Sequence, residues 1–281
     1  MPQTAYMGFL LILANVIISY QGFRDATFFG RYAFDVEKIS LYKDYKRLVT
    51  SGFLHTGWLH LIFNMLALYF FSSSLEMKLG SFGFLLIYFA SLTGGNLLAL
   101  YIHRLDSGYS AVGASGAVCG IVFASIAISP GMEIGLFPLP IAFPAWLYGL
   151  AFVAYTIYSI HSRKNNTGHD AHLGGALTGM LVAIILRPSA VPQNYVVILL
   201  LAVPCFIFLY LLISRPHLLL TGNLFTRKKK QTYTPDQRYN AEQATLRKEI
   251  DAILEKIHQK GMNSLTKREK EKLTAYSRME T

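Results

Sequence analysis

Long apolar stretches alternate with short polar ones along the chain, and this alternation sets the architecture before any motif is read. The apolar stretches fall at residues 6–20, 58–75, 82–102, 112–129, 139–160, 171–186 and 194–214. Most approach or exceed the roughly 18–20 residues that carry a helix across a bilayer. Backbone polar groups in lipid have to be satisfied within their own segment, so each stretch is predicted as a helix. The expected fold class is all-α, a polytopic transmembrane helical bundle. The fourth and sixth stretches are rich in Gly, Ala and Ser, which let helix backbones approach closely, and both are expected at the centre. Gly175 and Gly179 form a GxxxG pair in the sixth, read as a close-packing face.

The polar segments add two features. Residues 21–57 mix Phe23, Phe28, Phe29, Tyr32, Phe34, Tyr42 and Tyr45 with charged side chains. That composition suits a segment lying at the bilayer interface, and equally a solvated loop. After Ser214 the chain turns polar, opening on the basic run Arg227-Lys228-Lys229-Lys230. Within this tail Leu246, Ile250, Ile253, Leu254 and Ile257 fall on one helical face between residues 241 and 260. Gly261 is a stop signal, and Thr266 with Glu269 reads as a capping box. The tail is therefore predicted as a small helical hairpin. The resulting division is a core over 1–190, an additional span over 191–215 and a basic, polar helical tail over 216–281.

Composition agrees. The chain is 53% hydrophobic and 15% charged, against about 25% charged for a soluble domain. A net charge of +10 would attract acidic lipid or nucleic acid, but the basic run is read as a stop-transfer cluster beside a solvated face, and no nucleic-acid partner is expected. Cys119 and Cys205 both lie in apolar runs, which argues against a disulfide framework. No Cys/His cluster has metal spacing, so no metal and no cofactor are expected. The first stretch lacks a basic leader and a clear small-residue cleavage site, and is read as a span that is retained.

Polar side chains inside spans are costly and point to function. Four matter: His60, Asn64, Ser115 and His172. Successive spans alternate direction, so the second, fourth and sixth all start on one side of the membrane. His60 and Asn64 lie near the start of the second, Ser115 near the start of the fourth and His172 near the start of the sixth. At about 1.5 Å rise per residue all four sit within roughly 10 Å of one face. A serine hydroxyl becomes a nucleophile when a neighbouring base takes its proton, and histidine titrates in the right range. Asn and His side chains, with a backbone N–H, can stabilise the oxyanion of the tetrahedral intermediate. Gly113-Ala114-Ser115-Gly116 places the serine between glycines at a loop-to-helix junction, where helix N-terminal potential favours negative charge. A lone GxSG, a lone intramembrane His or a lone Asn is each weak; their convergence is the signal. No aspartate completes a triad: Asp170 is two residues from His172, expected on another helical face and near water. Asp170 and His169 are read as helix-start residues, Glu76 and Lys78 as an interfacial cap or ion pair, and His55 as a loop-orienting hydrogen bonder.

These residues resemble the rhomboid intramembrane serine proteases. The resemblance spans about residues 6–186 and rests on Arg47, the series His55, His60 and Asn64, Glu76 with Gly80, Gly113 to Gly116, and His172 with Gly175 and Gly179. It implies a rhomboid-like six-helix core, to which this chain adds a seventh span. It implies Ser115 and His172 as a catalytic dyad, with His60, Asn64 and the Ser115 backbone N–H as the oxyanion hole. Expected partners are single-span transmembrane substrates and the lipid bilayer; a bacterial inner (plasma) membrane is the expected location, and no oligomeric state is implied. Three features depart from the family's basic pattern: Lys46-Arg47 replaces a Trp-Arg pair, Cys119 stands where an aromatic residue often stacks on the catalytic histidine, and the seventh span makes the chain similar to the family's six-plus-one forms.

Orientation is contested within the sequence. The family implies a cytoplasmic N terminus with the catalytic face outward. Arg24, Arg31, Lys38, Lys43, Lys46 and Arg47 in the first loop, with the basic tail, pull the other way under the positive-inside rule. Other function classes are a non-catalytic relative that holds client spans, which typically lacks the serine or histidine, and a transporter. The spans show no evident inverted repeat of the kind transporters carry.

Overall fold

The computed structural model describes residues 5–135, 142–161, 168–214 and 235–280. Its helices are α1 (Met7–Arg24), α2 (Ala26–Tyr32), α3 (Val36–Ser40), α4 (Arg47–Thr50), α5 (Trp58–Ile102), α6 (Ser115–Ile128), α7 (Ala145–His161), α8 (His169–Leu186), α9 (Val191–Ser214), α10 (Pro235–Lys260) and α11 (Lys267–Glu280). Strands β1 (Phe34–Asp35) and β2 (Ser110–Ala111) pair antiparallel, as do β3 (Glu133–Gly135) and β4 (Ala142–Pro144). Among the described residues α1, α5, α8 and the stretch Pro188–Leu211 are long and apolar enough to cross a membrane; α6 and α7 are apolar but shorter.

The seven apolar stretches all reappear, with shifted ends. The second and third are one 45-residue helix, α5, broken at Gly80, where φ is +74°. That left-handed backbone is cheap only for glycine, so the chain reverses there without a loop. The fourth begins at Ser115 because the residues before it run through β2 and Gly113. Part of the fifth stretch, 139–141, and the basic run at 227–230 lie outside the described residues.

The first loop is a folded segment rather than a plain solvated loop. It folds into α2, α3, α4 and β1, and buries Phe34, Val36 and Ile39 against Ala99, Tyr109 and Ala171. Aromatic density there served a small satellite core, which periodicity over such short elements does not reveal. Arg47 is buried at its centre: Nη1 donates to the carbonyls of Gly30 (2.8 Å) and Ala33 (2.7 Å), and Nε to Asp44 (2.9 Å).

α6 is the axis of the bundle. Every residue from Gly116 to Ile128 is buried, chiefly between α5 and α8. A Cβ at Gly175 would collide with the Gly116 backbone, and one at Gly179 with Gly120. The GxxxG pair is therefore the close-packing face of α8 on α6. α6 has 14 residues, about 21 Å of rise, against a hydrocarbon thickness of about 30 Å. It can be this short because protein, not lipid, surrounds it.

Glu76 caps α1 from the end of the first half of α5. Its carboxylate accepts from the backbone N–H groups of Tyr6 (3.3 Å), Met7 (3.0 Å) and Gly8 (3.3 Å) and from Ser81 Oγ (2.7 Å). Nearby Lys78 donates to Ser129 Oγ.

The tail forms the expected hairpin. Ile250, Ile253 and Leu265 are buried, packed by Leu246, Ile257, Leu273 and Tyr276. Gly261 turns the chain at φ +77°, and the capping box is reciprocal: Thr266 N–H donates to Glu269 Oε2 (2.7 Å), Glu269 N–H to Thr266 Oγ1 (3.3 Å). Leu254, expected on the apolar face, is 48% exposed, because the hairpin is too narrow to cover the full stripe. α11 lies against α2 and α10 against β2.

Candidate active site

Ser115 opens α6, preceded by Ala114, whose side chain offers no cap. The first N–H groups of a helix lack intrahelical partners and point outward with the positive end of its dipole. Gly113 makes the approach possible. Its φ is +135°, and a Cβ there would stand 2.8 Å from His60 Cε1 and 2.9 Å from His60 Nε2. Only a residue without a side chain lets the serine loop come this close to the His60 ring.

His172 lies in the first turn of α8, and its Nε2 is 2.6 Å from Ser115 Oγ. If the hydroxyl donates, Nε2 is the acceptor and the imidazole proton resides on Nδ1. Nδ1 is buried without a hydrogen-bond partner, so no carboxylate orients this ring. Packing does so instead: the Phe152 ring from α7 lies 6.2 Å away and the His169 ring 5.6 Å away, at 90°. Cys119 is buried one turn along α6 from Ser115, and α7 supplies the aromatic contact that Cys119 does not.

His60 and Asn64 lie on α5 in its first two turns. Thr56 Oγ1 is 3.2 Å from His60 Nδ1, leaving Nε2 on the Gly113 side of the ring. Asn64 is buried, and one N–H of its amide donates to its own helix at His60 O, 2.9 Å. A cleft lined by Ser51, Gly113, Ser115, Gly116, Ala171 and His172 opens beside the serine. Its floor is tied down by Asn96, whose Nδ2 donates to Leu48 O (2.8 Å) and Ser51 Oγ (3.2 Å), and by Gly113 N–H donating to Ser51 O (3.0 Å).

His55 does orient a loop, and the loop is that of the serine. It is fully buried. Ala114 N–H points at its Nε2 (3.5 Å), Nδ1 contacts Ser19 Oγ (2.8 Å), and Ser19 donates to Phe53 O (2.9 Å). Burial, with His60 nearby, pushes its pKa down to about 3, so it is a neutral, fixed relay from α1 to the residue before Ser115. Sequence reasoning saw His55 but missed Ser19 and Phe152, which carry no motif and meet the site only through tertiary packing. One expectation is corrected: Asp170 does start α8, but it is buried rather than near water, and its Oδ2 lies 2.7 Å from His103 Nε2. The segment after α5 folds over it, which spacing along α8 alone cannot show.

Comparison with known proteins bears on this arrangement. Residues 42–189 match the Rhomboid domain model, and residues 233–279 match a family of unknown function, DUF6576. The chain is 35% identical over 161 residues to Rhomboid protein 1, mitochondrial, of Saccharomyces cerevisiae, covering 55% of this chain and 46% of the yeast protein. It is 28% identical over 197 residues to RHOMBOID-like protein 12, mitochondrial, of Arabidopsis thaliana, covering 64% and 58%. With Rhomboid protease AarA of Providencia stuartii it shares 30% identity over 207 residues, 66% of this chain and 73% of that one. The match thus spans about half the length of the yeast and Arabidopsis relatives. A domain match over more than half of the sequence, on an apolar helical bundle in which Ser115 and His172 meet, leads to one conclusion: the chain belongs to the rhomboid family.

Proposed function

We propose that this rhomboid is an active intramembrane serine endopeptidase that cuts single-span membrane proteins in or near their spans. The observation that carries the reading is the 2.6 Å contact between Ser115 Oγ and His172 Nε2. Ser115 Oγ bonds to the scissile carbonyl carbon while its proton passes to His172 Nε2. The oxyanion is met by the Ser115 N–H at the helix start, by His60 Nε2–H and by the second N–H of the Asn64 amide; one such donor contributes about 3 kcal/mol. As the C–N bond breaks, His172 returns the proton to the leaving amine. Water then hydrolyses the acyl-enzyme by the same relay. We place the enzyme in a bacterial inner membrane, with the relatives named as mitochondrial serving as the organellar comparison.

The test is fluorophosphonate labelling of the full-length protein, alongside cleavage of a single-span model substrate in liposomes. The wild type is expected to label and cut, and Ser115→Ala and His172→Ala to do neither. Cleavage retained in purified Ser115→Ala would remove the mechanism; stable client binding without labelling in the wild type would favour a client-holding relative instead.

A further inference from the structure

His172 is fixed to Ser115 through the first turn of α8, so whatever holds that turn sets the distance between them. Its Nδ1 has no partner, and the restraint has to come from elsewhere on the helix. Asp170, two residues away, is buried, and its Oδ2 lies within ion-pair distance of His103 Nε2, 2.7 Å, without the angles of a directed hydrogen bond. His103 is the residue at which α5 ends. Its ring stacks flat on Tyr109, centroids 3.7 Å apart and planes 6° apart. Tyr109 is itself buried, edge-on to Phe34 at 6.1 Å, and its carbonyl accepts from Val36 N–H at 3.2 Å. Tyr109 directly precedes β2, and only Val112, Gly113 and Ala114 separate the end of β2 from Ser115. The chain of contacts Asp170–His103–Tyr109 therefore joins the helix that carries His172 to the strand that leads to Ser115.

We infer that Asp170 and His103, seated on Tyr109, are positioning residues that hold His172 in register with Ser115. The inference rests on the dyad proposed above but assigns these residues no contact with substrate. Asp170 anchors the turn through its carboxylate, His103 links it to the Tyr109 ring, and Tyr109 passes the restraint into β2. Releasing the anchor lets the turn of α8 drift by a fraction of an ångström. Displacements near 1 Å at reacting atoms cost about a hundredfold in rate, so a partial release should cost about tenfold.

The experiment compares wild type, Asp170→Asn, His103→Gln, the double variant and the reciprocal exchange His103→Asp with Asp170→His, all full length in liposomes. Each single variant is expected to lower kcat about tenfold with KM within about twofold, and the double to be no worse than either single, since the two act as one unit. The exchange is expected to recover part of the loss, which separates a lost pair from a misfolded protein. The ring signals of His172 in histidine-nitrogen-labelled protein are read in parallel and should move in Asp170→Asn. Wild-type kcat together with unmoved His172 signals in Asp170→Asn would overturn the inference, as would independent, multiplying effects of the two single changes. Failure of the dyad itself looks different: the wild type would not label, and its His172 signals would be the same in Ser115→Ala.

Discussion

At Gly113 the backbone adopts a φ of +135°, and the space a side chain would need is filled by the His60 ring. The glycine two residues before Ser115 thus serves the His60 ring on α5 as much as the turn itself. His55 has a comparable indirect role, buried and neutral between Ser19 and the Ala114 N–H. Its pKa is lowered from 6.5 to about 3 in the folded chain, so below pH 6.5 the unfolded chain binds a proton that the folded one refuses. Stability from this residue is whole above pH 6.5 and falls as pH drops toward 3, by up to about 1.4 kcal/mol per pH unit for one proton. Unfolding titrations of wild type and His55→Asn between pH 7 and pH 4, ranges chosen about those limits, should show a shallower slope in the variant. The meeting of Ser115 with His172, and of His60 with the loop before the serine, was legible in the sequence because helix polarity and rise fix how deep each lies. Ser19, Phe152 and the His103 contact of Asp170 were not, because each joins segments whose relative rotation leaves no periodic trace.

Among the elements, α1 depends on α5 for its start. Its N-terminal N–H groups have no side-chain cap of their own and are satisfied by Glu76, some 70 residues away. Hydrogen bonds to a charged group contribute about 1.5–3 kcal/mol each when lost. Glu76→Ala is expected to lower stability by at least about 2 kcal/mol, measured by denaturant titration in detergent, and Glu76→Gln to recover part, because an amide oxygen still accepts. The sequence read Glu76 as an interfacial cap or ion pair but did not name α1 as the helix it caps. By contrast the capping box at Thr266 and Glu269 was legible in full, since all its groups lie within one turn. The first loop marks the opposite limit. Its helices are 4–7 residues long, too short for an amphipathic period to show.

Across the whole molecule, span number decides where the tail lies. With α5 counted as two crossings and α6, α7 and α9 each taken to cross once, the chain would cross seven times before Ser214. The tail thus emerges on the side where Ser115 begins α6, and α11 lies against α2 on that side. The first loop and the tail therefore share one compartment, whichever compartment it is. Membrane-impermeant labelling of single cysteines at Lys46 and Thr281, in Cys119→Ser, Cys205→Ala protein, should find both accessible from the same side. Labelling from opposite sides would mean that α9 does not cross.

A further consequence follows from α6 being about 21 Å long within a bundle whose other helices are longer. Ser115, the proposed nucleophile at its head, would then be recessed, at a depth set by how far the surrounding bilayer rises above it. Lipids with longer acyl chains raise that level, and the bundle answers by tilting or by thickening the lipid locally, at fractions of a kcal/mol per Å. If the chain cleaves by the proposed dyad, turnover in vesicles of graded chain length should pass through a maximum: thin films would leave the scissile bond riding too high, and thick ones would shut water away from the acyl-enzyme.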